Sequence, residues 1–243
     1  MISGFTFVHN ALHAGIPIVQ SIGAVRPFVD EVLVVDAGST DGTKEMLKEL
    51  PSVDRVFDTD WGSDAGATLK RLHDLHKLCK HDVIMHFEAD EVFDEKLAQE
   101  CNLLVREDGV TDIKVSRIQV EQNFQRVRWY PEYVQRVFRK GTAEKDGHTT
   151  VKNIGHEVPT QIGYLWDVTN CFRDNWMNRV EQQARLWGHD PIYRMVPQHA
   201  NQPFEITKEE AMERLKEPHW EYKKGPFFLP TILKPLVGKT AYG

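Results

Sequence analysis

The 243-residue sequence has few cysteines, no excess of basic residues and no long apolar segment. Cys79, Cys101 and Cys171 form no C-x-x-C pair, which argues against a disulfide framework and against a zinc ribbon. The 30 Lys and Arg residues against 36 Asp and Glu residues give a net charge of −6, which is not the electrostatic footprint of a duplex nucleic-acid binder. No apolar run approaches the roughly 18 residues of a membrane span. We therefore expect a globular protein without a nucleic-acid partner.

The N-terminal segment also lacks the features of a signal peptide. No Lys or Arg precedes the apolar residues of positions 1–25, and His9, Asn10 and His13 interrupt them. Together with the absence of a cysteine pair, this predicts a cytoplasmic protein.

Apolar runs and helix-like segments alternate over the first hundred residues, which is typical of a doubly wound α/β sheet. The predicted strands are 4–8, 31–36, 53–57 and 82–87. Helices are predicted from Pro17, over 44–50, from Ser63 or Asp64 to about Lys80, and from Asp94. Beyond Thr111, strand-like residues mixed with arginines and aromatics predict a mixed sheet, and a capping box at 207–210 predicts one more helix before Pro218.

Two acidic sites follow predicted strands, at the sheet edge where open α/β sheets bind ligands. Asp36 ends an apolar strand, and the small residues at 37–43 would let a ligand approach the backbone closely. A carboxylate only accepts hydrogen bonds, which suits a base N–H or a ribose hydroxyl. Asp41 lies next to the start of the following helix, so we expect it to cap that helix instead.

The second acidic site is Glu88-Ala89-Asp90. An extended backbone would send both carboxylates to the same side. Mg²⁺ typically takes one or two carboxylates together with substrate phosphates. A solvated acidic turn before the helix at Asp94 is the alternative interpretation, but the position after an apolar run, in the same sheet as Asp36, favours a metal site.

No other phosphate-binding motif fits the sequence. Asp41-Gly42-Thr43 ends like the D-x-D-G-T signature of aspartyl-phosphate hydrolases, but Ser39 stands where that chemistry needs a nucleophilic carboxylate. Neither a Walker A motif nor a G-x-G-x-x-G motif follows a predicted strand.

Three segments together resemble family 2 glycosyltransferases of the GT-A fold. They are GFTFVHNA at 4–11, VVDAGSTDGT at 34–43 and EADE at 88–91, in the family's order and at its usual spacing. The match covers about the first 100 residues, and a looser one, from Tyr130 to Glu157, is to members that decorate lipopolysaccharide or related glycans. The resemblance implies an α/β fold with a doubly wound mixed sheet of GT-A type and a C-terminal helical tail.

The resemblance also implies how the chain is divided. A GT-A domain is expected at 1–200, with a nucleotide-sugar-binding half at 1–105 and an acceptor half at 106–200. A C-terminal helix and an apolar tail are expected at 201–243.

The implied activity is a metal-dependent transfer of a sugar from a nucleotide-diphosphate-sugar donor to a hydroxyl of a glycan or lipid-linked acceptor, with inversion. The implied cofactor is Mn²⁺ or Mg²⁺, and the expected metal ligands are Asp90, Glu88 and His156. His156 could equally be a phosphate donor or a hydrogen-bonded structural residue. The expected donor-binding residues are Val8, Asn10, Asp36, Gly38, Ser39, Gly66, Lys70 and Glu88.

The sequence departs from the family pattern at two positions. Glu88 stands where the family more often has Asp, which leaves the metal preference open. Leu69 stands where the family often has Arg, so Lys70 or Arg71 is expected to supply the phosphate contact.

A general base is expected from the second half of the chain, because a carboxylate must take the proton of the acceptor hydroxyl while charge develops on the leaving diphosphate. Glu157 is the first candidate, weighed equally against an ordinary surface glutamate. Asp174 and Asp190 are the reserve candidates. Arg126, Arg128, Arg136 and Arg139 give this half a local positive excess that suits a diphosphate or an anionic acceptor, although solvated strand faces explain them nearly as well.

Two rival functions stay open at this point. A sugar-phosphate nucleotidyltransferase would use a similar sheet, but it usually needs a Gly-rich basic loop after the first strand, where this chain has HNALH at 9–13. A noncatalytic glycan- or nucleotide-binding protein of the same fold is kept open by Glu88 and Leu69.

The apolar tail at 226–237 is too short and too rich in proline to span a membrane. We expect it to pack on the domain. The alternative is peripheral contact of the tail and its nearby lysines with the inner face of a membrane, which would suit a lipid-linked acceptor.

Overall fold

The computed structural model describes residues 1–121, 126–146, 149–153, 156–170, 181, 184, 190, 193–195, 204–207 and 209. The strands are β1 Ile2–Val8, β2 Glu31–Ala37, β3 Arg55–Thr59, β4 Val83–His86, β5 Glu91–Phe93, β6 Val110–Glu121, β7 Arg126–Arg139, β8 Ala143–Asp146, β9 Thr149–Asn153, β10 His156–Pro159, β11 Leu165–Asn170, β12 Tyr193–Met195 and β13 Phe204–Ile206. The α-helices are α1 Ala11–Ala14, α2 Ile18–Val25, α3 Thr43–Glu49, α4 Ala65–Asp74 and α5 Glu95–Leu104. Short 3₁₀ helices lie at Arg26–Phe28 and Leu75–Leu78.

The central feature is a nine-stranded mixed sheet with the strand order 3-2-1-4-7-6-11-5, in which β10 also pairs with β6. Strands β1 to β4 are mutually parallel where they pair, so their carboxyl ends lie along one edge of the sheet. Strand β7 runs antiparallel to both β4 and β6, and β5 runs antiparallel to β11. The predicted α/β architecture with a mixed sheet is confirmed.

Both faces of the parallel strands are covered, which explains their continuous apolar sequences. All seven residues of β2 are buried. Val32 and Val34 join one hydrophobic cluster, and Leu33 and Val35 join another on the opposite face, as the two-residue period of a strand requires. The carboxyl edge of the sheet is therefore held by a core on either side.

Two predicted helix caps are confirmed. Asp64 Oδ1 accepts a hydrogen bond from Ala67 N at 2.6 Å, and Asp94 Oδ1 accepts one from Leu97 N at 2.8 Å. Asp94 also fastens the segment before β11, because its Oδ2 accepts from Tyr164 N at 2.8 Å.

The third strand begins later than predicted, at Arg55 rather than Val53. The reason is a turn after Pro51, in which Val53 N bonds to the Leu50 carbonyl at 3.0 Å. The long helix predicted from Asp64 is divided, since its α-helical part ends at Asp74 and continues as a 3₁₀ helix.

Within the described ranges, no helix is long and apolar enough to cross a membrane. The apolar tail at 226–237 lies outside those ranges, as does all but Thr207 and Glu209 of the predicted capping box. The domain boundaries at 105 and 200, and the packing of the tail on the domain or on a membrane, stay predictions.

Candidate functional site

The loops that follow β1 and β2 are joined by hydrogen bonds at the carboxyl edge of the sheet. We call residues 9–13 and 38–43 the edge loops. Asn10 N donates to Ser39 Oγ, and Thr40 N donates to Asn10 Oδ1, both at 2.8 Å. His9 Nδ1 lies 2.8 Å from the Ala37 carbonyl, which can only accept, so Nδ1 carries the proton. The two loops are thus fixed to each other across neighbouring strands.

Asn10 has the left-handed backbone conformation, with φ of 51°, which Asn tolerates better than most residues. Its Nδ2 lies 3.0 Å from His9 Nε2. Because His9 Nδ1 is the donor to Ala37, Nε2 of the neutral ring accepts from the amide. The orientation of the Asn10 side chain is therefore determined by its neighbours on both sides.

Asp41, which precedes the N-cap Gly42 of α3, binds the first turn of that helix. Its Oδ1 accepts from Thr43 N at 3.0 Å, and its Oδ2 accepts from His13 N in the other edge loop at 2.7 Å. Burial opposes ionisation of this carboxyl, but the hydrogen bonds from Thr43 and His13 outweigh it and lower the pKa. Asp41 is thus a structural link between the edge loops.

Asp36 is fully buried at the end of β2. Its Oδ1 accepts a hydrogen bond from Ser39 N at 2.9 Å, whereas its buried Oδ2 has no hydrogen-bond partner among the described residues. A buried polar atom left unpaired costs about 1–3 kcal/mol, and more when it is charged. An acceptor with this environment is suited to a donor group brought by a ligand.

Other predicted donor-site residues lie near this edge in different environments. Val8, opposite Asp36 in the strand pairing, is buried in the core, so its side chain serves packing. Gly38 has φ of 77°, and a Cβ there would lie 3.5 Å from the Thr59 carbonyl, so the loop passes close to the end of β3. Gly66 lies half-buried in the first turn of α4.

Helix α4 directs Arg71 towards the segment beyond β3. Arg71 Nη1 donates to Thr59 Oγ1 at 2.5 Å, and Nη2 donates to the Asp60 carbonyl. Lys70 is exposed, and Leu69 is buried in the core. Of the two cations considered for a phosphate contact, Arg71 is the one whose described hydrogen bonds reach the segment after β3.

The second acidic site is a tight turn after β4, and a cation from β7 holds it. We call residues 88–91 the acidic turn. Glu91 N donates to the Glu88 carbonyl at 3.0 Å, and Glu88 N donates to Glu91 Oε2 at 3.1 Å. Arg136 Nε donates to Glu91 Oε2 at 2.7 Å, and Arg136 Nη2 donates to Glu91 Oε1 at 2.6 Å and to Glu88 Oε1 at 2.7 Å. One guanidinium group therefore binds two carboxylates of the same turn.

These charges are largely removed from water. The side chain of Glu91 is 0% exposed and that of Arg136 is 4% exposed, whereas that of Glu88 is 28% exposed. Burial disfavours the charge on Arg136, but Glu91 and Glu88 outweigh it and raise the pKa of the guanidinium group. Arg117 lies 3.4 Å from Glu91 and 3.7 Å from Asp167, which extends the network to β6 and β11.

The structure does not bring the predicted metal ligands Asp90, Glu88 and His156 together. Asp90 is 9% exposed, in the acidic turn. His156 is exposed and pairs with Val110 at the amino end of β6. Within the described part of the chain, no group of three or more His, Cys, Asp or Glu side chains could hold a metal ion.

Glu157, the first candidate for the general base, lies apart from the acidic turn. Glu157 Oε1 is 2.6 Å from Lys114 Nζ, and Glu157 pairs with Asp112 of β6. Strands β7 and β6 separate β10 from β4, and at about 4.8 Å per strand this places β10 about 14 Å from β4 across the sheet. Asp190 is exposed, and Asp174 lies outside the described residues.

Sequence reasoning did not identify Glu91, Arg117 and Asp167 as parts of the site, and it grouped Arg136 with three other arginines. The available signal was the alternation of charged and apolar residues along β6 and β7. That signal shows which residues share a face of a strand, but not which strand lies alongside.

A family model matches most of the chain. Residues 8–179 match the family model described as glycosyl transferase family 2. Two uncharacterized proteins, from Mycobacterium bovis and Mycobacterium tuberculosis, are each 26% identical over 151 residues, which covers 59% of this chain and 34% of theirs. The chain thus spans about a third of the length of these curated relatives.

Solved structures show partial similarity at low identity. S. aureus TarS 1–349 in complex with UDP has a TM-score of 0.48 and 10% identity, over 76% of this chain and 64% of that chain. The mannosyltransferase PcManGT from Pyrobaculum calidifontis, in complex with GDP-Man and Mn²⁺, has a TM-score of 0.45 and 11% identity, over 99% and 69%. Glucosyl-3-phosphoglycerate synthase from Mycobacterium tuberculosis, in complex with Mg²⁺ and UDP, has a TM-score of 0.33 and 24% identity, over 47% and 42%.

Proposed function

The chain belongs to glycosyl transferase family 2, and from that premise we propose that its sheet edge binds a nucleotide-diphosphate-sugar donor whose sugar is transferred to an acceptor hydroxyl. The membership confirms the resemblance carried by the segments 4–11, 34–43 and 88–91, and with it the GT-A type of the mixed sheet. The proposed acceptor is a glycan or a lipid-linked glycan, and the proposed stereochemical course is inversion.

The observation that carries the proposal is the buried Oδ2 of Asp36. Its environment supports a contact with an N–H of the base or with a ribose hydroxyl, because either would supply the missing hydrogen bond. The edge loops are already fixed by their mutual hydrogen bonds, so a nucleotide would bind to a surface that needs little reorganisation.

A divalent cation fits the acidic turn. The turn and its neighbours hold four carboxylates against two guanidinium groups, a net formal charge of −2, from Glu88, Asp90, Glu91, Asp167, Arg117 and Arg136. Mg²⁺ is commonly bound by one or two carboxylates and completed by substrate phosphates, so a site without three protein ligands suits it. We assign Asp90 as its ligand. When bound, Mn²⁺ or Mg²⁺ would neutralise charge on the departing diphosphate.

The general base stays a prediction for Glu157, Asp174 and Asp190. In an inverting displacement the base must reach the acceptor hydroxyl on the face of the sugar opposite the diphosphate. Glu157 would have to exchange its ion pair with Lys114 for that contact. His156 is exposed and pairs with Val110 at the amino end of β6, so it is not proposed as a ligand of the cation at the acidic turn.

Thermal unfolding in the presence of nucleotides tests the donor site. The panel is UDP, GDP, CMP and their common sugar conjugates, each with Mn²⁺, Mg²⁺ or EDTA. A ligand at 100 times its dissociation constant adds about 2.7 kcal/mol, which raises the Tm by about 5–10 °C for a chain of this size. We expect one nucleotide to give such a shift with a metal ion, and Asp36→Asn to weaken its affinity about tenfold to a hundredfold.

Asp58→Asn is the matched control. Asp58 pairs with Asp36 on the neighbouring strand, but its side chain is 54% exposed and lies 2.9 Å from Lys44. This variant should bind the nucleotide as the wild type does. Equal losses in the two variants, or no shift with any nucleotide, would contradict the proposed donor site.

A further inference from the structure

We propose that Arg136 is a positioning residue, which holds Glu88 and Glu91 in the acidic turn and so keeps the Glu88 carboxylate off the metal. The metal contact is then left to Asp90. This inference rests on the proposed function and refines the metal-ligand prediction, in which Glu88 and His156 shared that role with Asp90.

The guanidinium group of Arg136 binds both carboxylates at once. Arg136 forms two nearly parallel hydrogen bonds with Glu91, from Nε at 2.7 Å and from Nη2 at 2.6 Å. Such a bidentate pair fixes the relative orientation of the two planar groups, which a Lys could not do. Nη2 also donates to Glu88 Oε1 at 2.7 Å, so the same group sets the position of the carboxylate three residues earlier.

The acidic turn is closed by one of the carboxylates that Arg136 binds. Glu91 Oε2 accepts from both Arg136 Nε and Glu88 N, so the guanidinium group and the backbone of the turn meet on one oxygen. Asp90 lies between the two carboxylates that Arg136 binds. The orientation of Asp90 is therefore determined by the hydrogen bonds of Arg136 with Glu88 and Glu91. A hydrogen bond from Val168 N to the Asp90 carbonyl, at 3.0 Å, also holds it.

Arg136 lies on β7, a strand of the central sheet. Strand β7 runs antiparallel to β4 and pairs with it at Val137 and Met85, which places the preceding residue of β7, Arg136, beside the carboxyl end of β4. Arg136 reaches the acidic turn from the sheet, where its backbone cannot move easily. A rigid cation of this kind can hold the turn in one geometry whether or not a ligand is bound.

Glu88 and Asp90 differ in what each would lose by binding a metal ion. Glu88 Oε1 could bind a cation only by giving up its charge-assisted hydrogen bond to Arg136, whose side chain is 4% exposed. A cation on Glu88 would also lie close to the positive charge of Arg136, and the repulsion between the two like charges opposes its binding there. Glu88 is therefore a hydrogen-bond partner of Arg136 rather than a metal ligand.

The test measures Mn²⁺ affinity from the free-ion EPR signal, with UDP or GDP present and in its absence, for the wild type and four variants. Glu88→Gln should bind Mn²⁺ within about threefold of the wild type, whereas Asp90→Asn should bind at least about tenfold more weakly. Arg136→Lys removes no ligand, yet it should weaken binding about tenfold, as is typical when a residue that orients a metal ligand is changed. Arg139→Lys makes the same change on the same strand at the opposite end of β4, and it should have no effect.

The outcomes separate this inference from the proposed function. An equal loss in Glu88→Gln and Asp90→Asn would overturn the inference, as would equal affinities of Arg136→Lys and Arg139→Lys. If Arg136→Lys fails to fold, Glu91→Asp replaces it, because this variant keeps the negative charge but shortens the side chain. Glu91→Asp should also weaken Mn²⁺ binding. Unchanged Mn²⁺ binding by Glu91→Asp would overturn the inference. A wild type that binds no Mn²⁺ with either nucleotide would overturn the proposed function itself.

Discussion

Asp36 and Asp58 occupy paired positions on neighbouring strands, and their environments are opposite. Asp36 is fully buried with one carboxylate oxygen unpaired among the described residues, whereas Asp58 is exposed and bound to Lys44. Solvent screens an ion pair of the second kind, so it contributes little to stability. The buried carboxylate is retained at a cost to folding, which is why we connect it with ligand binding.

His76 is a second buried side chain whose environment affects its ionisation. His76 is buried between Phe5 and Phe138, with ring centroids 6.3 and 5.2 Å away, and its Nδ1 lies 2.6 Å from the His73 carbonyl. Burial lowers the pKa of His76 below its ordinary value of 6.5. The neutral ring is therefore the form that the folded protein favours.

This environment predicts a pH dependence of stability. Because the folded protein holds the pKa of His76 below that of the unfolded chain, the stabilisation is present above pH 6.5 and is lost as the pH falls below it. Urea unfolding at pH 7.5 and pH 5.5 should show a smaller loss of stability for His76→Gln than for the wild type. The control variant His13→Gln, at an exposed position, should lose as much stability between pH 7.5 and pH 5.5 as the wild type. An equal loss in His76→Gln would contradict the prediction.

At the scale of elements, the loop before β11 is packed against the start of α5. Gly163 has φ of 76°, and a Cβ there would lie 2.5 Å from Asp94 Oδ1 and in contact with Leu97 N. Glu100 of α5 accepts from the backbone of the same loop, at Gln161 N and Ile162 N. This close approach brings β11 alongside β5 and β6.

Gly163→Ala should therefore destabilise the protein by about 2–4 kcal/mol, since it combines an unfavourable φ with a collision against backbone. Gly109→Ala separates the two causes. Gly109 has φ of 83° with no atom within 4 Å of an added Cβ, so only about 1–2 kcal/mol should be lost there. Equal losses of unfolding free energy in the two variants, measured by denaturant titration, would contradict the proposed packing.

Some helices and strands could be predicted from the sequence, whereas the pairing of distant strands could not. Local signals predicted a cap at Ser63 or Asp64, the cap Asp94, and a strand over 31–36 that the structure extends to Ala37, because capping and apolar runs depend on adjacent residues. The partnership of Arg136 with Glu88 depends on β7 lying beside β4, which are more than 40 residues apart in the sequence. Such pairing follows from the whole sheet and has no local signature.

At the scale of the whole molecule, the carboxyl edge of the sheet combines two different sites. The edge loops present a buried acceptor for a nucleotide, and the acidic turn presents a net negative charge for a cation. Asp36 lies at the carboxyl end of β2 and Asp90 follows β4, and these two strands lie on either side of β1. A diphosphate between a nucleoside and a sugar would join these two sites, and this juxtaposition is the basis of the proposed transferase activity.

The most direct test of that claim is turnover of a labelled nucleotide-sugar, with a total glycan and lipid extract as acceptor. Both the released nucleoside diphosphate and the labelled sugar are followed, with Mn²⁺ or with EDTA. We expect sugar transfer by the wild type with Mn²⁺, and a loss of at least about a hundredfold in Asp90→Asn, as expected when metal-stabilised charge on the leaving group is lost. Metal-dependent nucleotide binding without release of nucleoside diphosphate from any nucleotide-sugar would contradict the account and identify a noncatalytic binding protein.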